Sequence, residues 1–251
     1  MERGRRRLLS LGQIPNPVEL FGYKISFLDP GSFRYLVDEI FLDAPYFFQA
    51  ETETPLIFDC GSNIGMSILF FKKLYPKARI VAFEPDPFTF AALSTNISQN
   101  HLSEVQLHQA ALGKFDGEIE FFRDACTQSS SLMMSTVRER HDGPSIKVPA
   151  LKLSTFITSA VDLLKIDVEG AEFAVLTDLA NAGKLRFIRR IHLEYHHHID
   201  HSVDNLSSLL RLMEEHGFGY QIRSSPRIWP SERDFQDVSI YFYRKPCELG
   251  K

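Results

Sequence analysis

Apolar and polar positions alternate along the chain in blocks that predict strands and helices following one another. In residues 55–75 a short apolar run ends at Asp59, and apolar side chains then recur at helical spacing. A short, fully apolar run is typical of a strand buried on both faces of a sheet, and helical spacing is typical of a helix packed on one side. This block therefore predicts a strand, a turn bounded by Gly61 and Gly65, and a helix that ends before Pro76.

The same alternation continues through most of the chain. Further strands are predicted at residues 79–84, 105–110, 161–167, 187–194, 220–223 and 238–243, and further helices at residues 87–99, 170–180 and 203–216. Strands that alternate with helices predict an α/β protein with a mostly parallel, doubly wound sheet, whose last pair of strands is antiparallel.

Two segments depart from this alternation. Residues 1–54 precede the first core strand, and their pattern predicts a hairpin or arm at residues 18–28 and a core-covering helix at 33–41, with a lid as the alternative. Residues 114–158 form a long insertion that predicts part of the wall of a substrate site, with a surface loop as the alternative. We expect the remainder, residues 55–251, to form one domain.

Composition and charge exclude several classes of protein. The net charge of −4 gives no general basic field for nucleic acid. Cys60, Cys126 and Cys247 lack the spacing of a disulfide framework or metal site, which favours a reducing, cytoplasmic location. No apolar run approaches the ~20 residues that span a membrane. The basic residues 1–7 predict a solvated tail, with contact to anionic lipid or guidance of a charged substrate as alternatives.

The glycine turn predicts a ligand site, because bare backbone at a helix N-terminus admits and attracts a ligand. The dinucleotide fingerprint requires glycine where Asn63 stands, and the Gly-Lys-Ser/Thr of a phosphate loop is absent. What remains is Asp-x-Gly-x-x-x-Gly, which suits a ligand with an amino-acid end and a ribose but no pyrophosphate. S-adenosylmethionine has that shape. The alternative is an ordinary turn between a strand and a helix.

Polar residues at the ends of the predicted strands extend this site, because parallel sheets bind ligands beyond the carboxyl ends of their strands. Glu84 ends the second strand twenty-five positions after Asp59, and an acid there can accept both hydroxyls of a ribose. Gln109 and Ala110 end the third strand, where an amide can contact an adenine edge and a small side chain admits the ring. Together these positions predict an adenosyl site.

The fourth core strand ends in Asp167, which Glu169 and Glu172 follow. Several acids at one strand end repel one another unless a cation compensates, and a sulfonium, an ammonium or a divalent metal would do so. The alternative for the two glutamates is a favourable interaction with the N-terminus of the next helix.

The fifth strand ends in a cluster of histidines around an acid. Alternation places His192, Glu194 and His196 on one side, where an imidazole beside a carboxylate can take a proton from a hydroxyl. Three consecutive histidines suggest a metal, but a strand divides neighbours between two faces, which argues against a structural zinc. The oxygen atoms of Asp167 and Glu194 offer an alternative site for a hard divalent cation.

Four motifs occur in a fixed order along the chain. They are F-D-C-G-S-N-I-G at residues 58–65, A-F-E-P-D-P at 82–87, Q-A-A-L-G at 109–113 and L-K-I-D-V-E-G-A-E at 164–172. Together they resemble the FkbM family of S-adenosylmethionine-dependent methyltransferases, over roughly residues 55–220. The resemblance implies a Rossmann-like class I methyltransferase fold, with a mostly parallel seven-stranded sheet and an antiparallel terminal strand. It also implies methyl transfer to a hydroxyl of a sugar, small molecule or natural product, the acceptor.

The resemblance further implies which residues serve the reaction. The cofactor positions are Asp59, Gly61, Ser62, Asn63 and Gly65 at the methionine end, Glu84 at the ribose with its motif neighbours Pro85 and Asp86, Gln109 and Ala110 at the adenine, and Asp167 near the reacting centre. In-line transfer needs alignment and a proton acceptor, for which His196 and Glu169 are the candidates. A bound metal would instead lower the pKa of the acceptor hydroxyl.

Two other functions remain as alternatives. A non-catalytic module can keep this fold for binding or assembly, although the intact cofactor positions count against it. A nicotinamide enzyme is disfavoured by the missing second glycine. The fourth strand is not followed by Asn/Asp-Pro-Pro-Tyr/Phe or by Pro-Cys, which argues against transfer to nitrogen or to a cytosine carbon. The sequence leaves the acceptor and the oligomeric state open.

Overall fold

The computed structural model describes residues 14–122, 144–200, 204–224 and 236–245. Its strands are β1 (Val18–Leu20), β2 (Tyr23–Ile25), β3 (Leu56–Cys60), β4 (Arg79–Phe83), β5 (Val105–His108), β6 (Ala111–Leu112), β7 (Gly117–Phe122), β8 (Ser145–Leu151), β9 (Leu163–Ile166), β10 (Arg190–His197), β11 (Phe218–Ser224) and β12 (Gln236–Arg244). Its α-helices are α1 (Pro30–Leu36), α2 (Met66–Leu74), α3 (Pro87–Gln99), α4 (Glu172–Asn181) and α5 (Leu206–Glu215). A π-helix (Val37–Asp43) continues α1.

Seven strands form the central sheet, in the order β11-β12-β10-β9-β3-β4-β5. The strands from β10 to β5 run parallel, and β12 is antiparallel to both of its neighbours. The predicted mostly parallel sheet with an antiparallel strand near its end is therefore confirmed. The direction of strand order reverses between β3 and β9, and open sheets bind ligands beyond the strand ends at such a point.

Helices cover both faces of the sheet. Successive residues of β3 point to opposite faces, so that the interior divides into two apolar clusters. Ile57 packs with the N-terminal segment, α2 and α3, whereas Phe58 packs with α4 and α5. This is the doubly wound arrangement that the alternating sequence predicts.

The N-terminal segment, residues 14–50, packs on this scaffold as a hairpin of β1 and β2 followed by helical turns. The sequence pattern predicts one helix at residues 33–41, and this prediction is wrong in its bounds. Helix α1 begins at Pro30, behind the side-chain cap of Asp29, and changes to the π-helix at Val37. The proline and the cap favour the earlier start, because both suit the first turn of a helix.

The helical turns of the N-terminal segment bury one face. The helical pattern places Tyr35, Leu36 and Ile40 inward, and it is right for Leu36 and Ile40 but wrong for Tyr35, which is 54% exposed. Val37 and Phe41 are fully buried as well. Phe41 packs edge-on against Phe70 of α2, with ring centroids 5.6 Å apart.

A second sheet, in the order β6-β8-β7, follows the central one. The sequence pattern predicts a third core strand that continues to Ala110, but β5 ends at His108. A turn in which Ala110 N donates to His108 O at 3.1 Å moves the chain from one sheet to the other. Strands β7 and β8 belong to the predicted insertion, and residues 123–143 of it lie outside the described residues. Its role as a wall of the substrate site stays a prediction.

Several other elements have shifted ends. The fifth core strand, predicted at residues 187–194, extends to His197 because β12 pairs with it along its full length. The predicted start of the last helix at Val203 and the basic residues 1–7 lie outside the described residues. The predicted domain boundary after residue 54 also stays a prediction.

Among the helices described, none is both long and apolar enough to cross a bilayer.

Asn96 of α3 connects the N-terminal segment to the glycine turn, and its side chain is fully buried. Its Nδ2 donates to Ser26 O at 2.9 Å and to Ile64 O at 2.8 Å, and its Oδ1 accepts from Ser26 N at 2.7 Å. These bonds satisfy buried backbone groups of two segments that are distant in sequence, so one side chain holds both in place.

We predict that Asn96→Ala lowers the free energy of unfolding by about 2–3 kcal/mol, because it leaves buried backbone groups without partners. Urea denaturation followed by circular dichroism measures the loss. Ser98→Ala, an exposed change two residues along the same helix, is the matched control and should change stability little. Equal effects of the two substitutions would contradict the connecting role of Asn96.

Candidate active site

The glycine turn lies between β3 and α2, directly against the end of β9. Gly61 has a φ of 82°, and a Cβ atom on it would lie 1.7 Å from Asp167 O. Gly65 has a φ of 89°, and its Cβ would lie 2.7 Å from Leu93 Cδ1. Both positions therefore require glycine for backbone conformation and for close packing. Gly61 N and Ser62 N both donate to Phe83 O at 3.0 Å, which joins the turn to β4.

Glu84 braces this turn from the end of β4. Its Oε2 accepts a hydrogen bond from Asn63 N at 2.9 Å, and its Oε1 accepts from Asp86 N at 3.0 Å. Asn63 has a φ of 51°, a left-handed conformation that asparagine tolerates better than most residues. Burial raises the pKa of Glu84 to about 8, although the two backbone N–H donors oppose the shift. Glu84, the residue predicted to bind the ribose, is thus a buried carboxylate beside the glycine turn.

A lysine that the sequence reasoning did not select lies beneath the turn. Lys165 of β9 is 2% exposed, and its Nζ donates to Gly61 O at 2.6 Å and to Asp167 Oδ2 at 3.2 Å. Its Nζ also lies 3.4 Å from Asp59 Oδ1. Burial alone lowers the pKa of Lys165, but Asp167 and Asp59 outweigh it and raise the pKa. The sequence feature that could have identified Lys165 is a lysine inside an otherwise apolar strand.

Asp59 has no contact with solvent. It is fully buried, and Ser67 Oγ donates to its Oδ2 at 2.6 Å while Lys165 balances its charge. Burial raises the pKa of Asp59, and the lysine opposes that shift. The carboxylate of Asp59 therefore stabilises the turn through Lys165. This geometry does not favour the predicted direct contact of Asp59 with the cofactor.

His196 is held between two glutamates. Its Nδ1 lies 2.7 Å from Glu172 Oε1, and its Nε2 lies 3.1 Å from Glu169 Oε2 and 3.8 Å from Asp167 Oδ1. Burial by itself lowers the pKa of His196, but Glu169 and Glu172 together raise it well above its usual value. An imidazolium donates protons, so this arrangement does not favour His196, or Glu169 bonded to it, as the proton acceptor.

The other predicted residues of β10 lie on the same side. Burial, and then the charge of Asp167, raise the pKa of Glu194 well above its usual value. His192 packs edge-on against the ring of Tyr46 at 4.8 Å, and its Nε2 lies 3.3 Å from Ser239 Oγ. Burial lowers the pKa of His192 to about 4, so it is neutral. The alternation of the strand therefore brings one neutral histidine, one acid and one imidazolium together.

The predicted cation pair of Asp167 and Glu194 does not share a ligand cluster among the described residues. One cluster of atoms within 4.8 Å joins Asp167 to Glu169 and His196, and another joins Glu194 to His196 and Asp237. His196 is common to both clusters, and a metal would have to displace a proton from its ring in order to bind there. We propose no metal at this position.

The next two histidines face a different acid. His198 has a φ of 58°, and this left-handed turn stacks its ring on that of His197 with centroids 3.8 Å apart. The Nε2 atoms of His198 and His197 lie 2.6 and 3.7 Å from Asp204 Oδ1, respectively. Strand alternation predicts that adjacent histidines separate, and it is wrong for this pair because the strand ends at His197.

The predicted adenine side is formed at the end of β5. Gln109 is exposed and Ala110 is buried. His108, which the sequence reasoning missed, stacks on Phe83 with centroids 5.0 Å apart and meets Phe156 edge-on. An aromatic wall therefore stands beside the two predicted residues.

Known proteins are similar to this chain in sequence and in fold. The model of the Methyltransferase FkbM domain family matches residues 59–220. Methyltransferase 1 of Beauveria bassiana is 34% identical over 166 residues, which cover 58% of this chain and 67% of that protein. The 31-O-demethyl-FK506 methyltransferase FkbM of Streptomyces tacrolimicus is 28% identical over 238 residues, which cover 82% of this chain and 89% of that protein.

A solved structure agrees with this result at the level of the fold. Methyltransferase FkbM from Methylobacillus flagellatus is similar with a TM-score of 0.51 at 18% identity, covering 86% of this chain and 56% of that chain. At this identity the similarity concerns the fold alone. The architecture is the class I methyltransferase fold that the sequence motifs imply.

We predict that Lys165→Met lowers the free energy of unfolding by about 3–5 kcal/mol, because it leaves the buried carboxylate of Asp59 without a counter-charge. The double variant Asp59→Asn with Lys165→Met should recover part of this loss, since it removes both charges. Urea denaturation of the wild type, both single variants and the double variant gives the coupling energy. Additive effects would show that the pair does not act as a unit.

Proposed function

The chain belongs to the FkbM methyltransferase family, and from this premise we propose that it transfers the methyl group of S-adenosylmethionine to a hydroxyl oxygen of a small molecule, sugar or natural product. The named activity of the Streptomyces relative supports oxygen as the atom that is methylated. The position of Glu84 carries the proposal, since its carboxylate stands at the carboxyl end of β4 and is bonded to the glycine turn.

The charges around the strand ends fit this cofactor. Glu39, Glu84 and Glu194 all have raised pKa values, because burial removes them from water without a full counter-charge. Lys165 is a buried cation near them, but its bonds go to Gly61 and Asp167. A ligand that brings a sulfonium and an ammonium would supply the missing positive charge.

We assign the cofactor contacts to three strand ends. The turn of Gly61, Ser62, Asn63 and Gly65 would hold the methionine end at the N-terminus of α2. Glu84 would accept hydrogen bonds from the ribose hydroxyls, with Pro85 and Asp86 fixing its position. Gln109 and Ala110 would border the adenine, beside the His108 ring. Asp59 would support the turn through Lys165.

When bound, S-adenosylmethionine supplies a methyl group on positively charged sulfur, which is already reactive toward an oxygen nucleophile. The protein's task is therefore alignment and proton removal. Lys165 fixes Asp167 at the end of β9, and Glu169 with Glu172 fixes His196 beside it. These paired groups would form the surface against which the acceptor hydroxyl is oriented.

Equilibrium binding and turnover test the proposal. Isothermal titration with S-adenosylmethionine and with S-adenosylhomocysteine should give saturable binding of both. Incubation with methyl-labelled S-adenosylmethionine and a panel of sugars, phenols and polyketide alcohols should then transfer the labelled methyl group to a hydroxyl oxygen. Mass spectrometry would identify the methyl ether that forms. Binding with no transfer to any compound would favour a non-catalytic binding module, and failure to bind would exclude both functions.

We predict that affinity for an adenosine ligand rises by up to about tenfold between about pH 7 and pH 9. The pKa of Glu84 is raised to about 8, and ribose hydroxyls donate to its ionised form, which becomes populated as the pH rises through that value. A suitable probe is 5′-methylthioadenosine, because it has no group that titrates near neutral pH. Its dissociation constant, measured by calorimetry across this range, reports the effect.

Glu84→Gln should bind this probe at least several-fold more weakly, with an affinity that no longer changes with pH. Glu53→Gln, at an exposed position, is the matched control and should keep the wild-type profile. A pH-independent wild type, or a Glu84→Gln variant that keeps the pH dependence, would contradict the assignment of Glu84 to the ribose.

A further inference from the structure

The N-terminal segment lies against the strand ends of the proposed active site, although it precedes the residues that the family model matches. The ring of Tyr46 packs edge-on against His192 of β10 at 4.8 Å, and Lys165 Nζ lies 5.4 Å from its centroid. Tyr46 is nearly completely buried in this position. The segment is therefore anchored on the two strands that carry Asp167 and Glu194.

This anchoring places a carboxylate of the π-helix at the site. Glu39 Oε1 accepts a hydrogen bond from the exposed phenol of Tyr35 at 3.4 Å. The charged groups that act on Glu39 are Asp167 at the end of β9, Lys165 of β9 and Asp237 of β12. Tyr35 in turn interacts with Glu39, Glu194, Asp237 and Asp167. The electrostatic interactions of both side chains are therefore with the acids at the ends of β9, β10 and β12.

Three of the other acids at this point already have charged partners. Asp167 accepts from Lys165, and Glu169 and Glu172 bond to His196. The partner of Glu39 is a neutral phenol at a long distance, on a side chain that is half exposed and able to turn away. A hydroxyl of the acceptor can take the place of the Tyr35 hydroxyl against the same oxygen.

We propose that Glu39 is the catalytic residue that receives the proton of the acceptor hydroxyl. This inference rests on the proposed function and adds to it the residue that completes the reaction. The bond between acceptor oxygen and methyl carbon forms as the bond between methyl carbon and sulfur breaks. The electron pair of the broken bond stays on sulfur, which becomes neutral. The hydroxyl proton passes to the Glu39 carboxylate and then to water.

The ionisation of Glu39 suits this role. Burial, and then the charge of Asp167, raise the pKa of Glu39 to about 7, although Lys165 opposes the shift. A base with a pKa near the working pH is the most effective, because a useful fraction is ionised and still basic. A nearby sulfonium would favour the carboxylate, and its conversion to a neutral thioether would favour the protonated form.

This linkage gives a test that needs no acceptor. At about pH 7, S-adenosylmethionine should displace up to about half a proton from Glu39 on binding, whereas S-adenosylhomocysteine should not. The two ligands share their ribose, so proton exchange at Glu84 cancels in the difference. The sulfonium lowers the pKa of the neighbouring ammonium, so the amino group of each free ligand is titrated separately and its contribution is subtracted. Calorimetry in buffers of different ionisation enthalpy measures the number of protons released with each ligand.

Three variants make the test specific. Glu39→Gln should abolish the difference in proton release while it continues to bind S-adenosylhomocysteine. Asp43→Asn, at an exposed position of the same π-helix, should retain the wild-type difference. Glu39→Asp keeps the carboxylate and should retain a measurable difference, which separates loss of the acid from damage to the fold.

Two results would overturn the proposal. One is equal proton release with the two ligands in the wild type, and the other is an undiminished difference in Glu39→Gln. If neither ligand binds to the wild type, the proposed function itself fails. If both bind with equal proton release, that function survives and only the role of Glu39 is lost.

Discussion

A buried ammonium group determines how the site is built. Lys165 extends from the middle of β9 beneath the glycine turn and neutralises Asp59 while it donates to Gly61 O and Asp167. Without it, two carboxylates would face each other at the switch point of the sheet in a region of low dielectric. The lysine therefore joins three structural units in one place: the first core strand, the turn that follows it, and the strand end where the methyl is proposed to move.

The arrangement around Lys165 also explains the surplus of acids near it. One lysine and one imidazolium do not balance the carboxylates at the ends of the sheet, and the raised pKa values of Glu84 and Glu194 express that imbalance. A cationic ligand would relieve it, so the same electrostatic imbalance would favour the positively charged donor over its neutral product. Binding and release of the cofactor would then follow its charge.

The N-terminal segment is part of this electrostatic system and does not merely cover the core. The aromatic contact of Tyr46 with Lys165 and His192 fixes its position, and Glu39 belongs to the π-helix of the same segment. Irregular helices of this type occur frequently at functional sites.

The sequence by itself determined the order of strands and helices, the glycine turn and the acids at the strand ends, because each depends on local periodicity or on the rule that parallel strands end at one edge. Tertiary structure decided the pairing of Lys165 with Asp59, the protonation of His196 and the place of Glu39. Those properties depend on distances between segments far apart in the chain and on the exclusion of water, and a linear pattern contains neither. The change to a π-helix at Val37 belongs to the same group, since packing and not helical periodicity sets it.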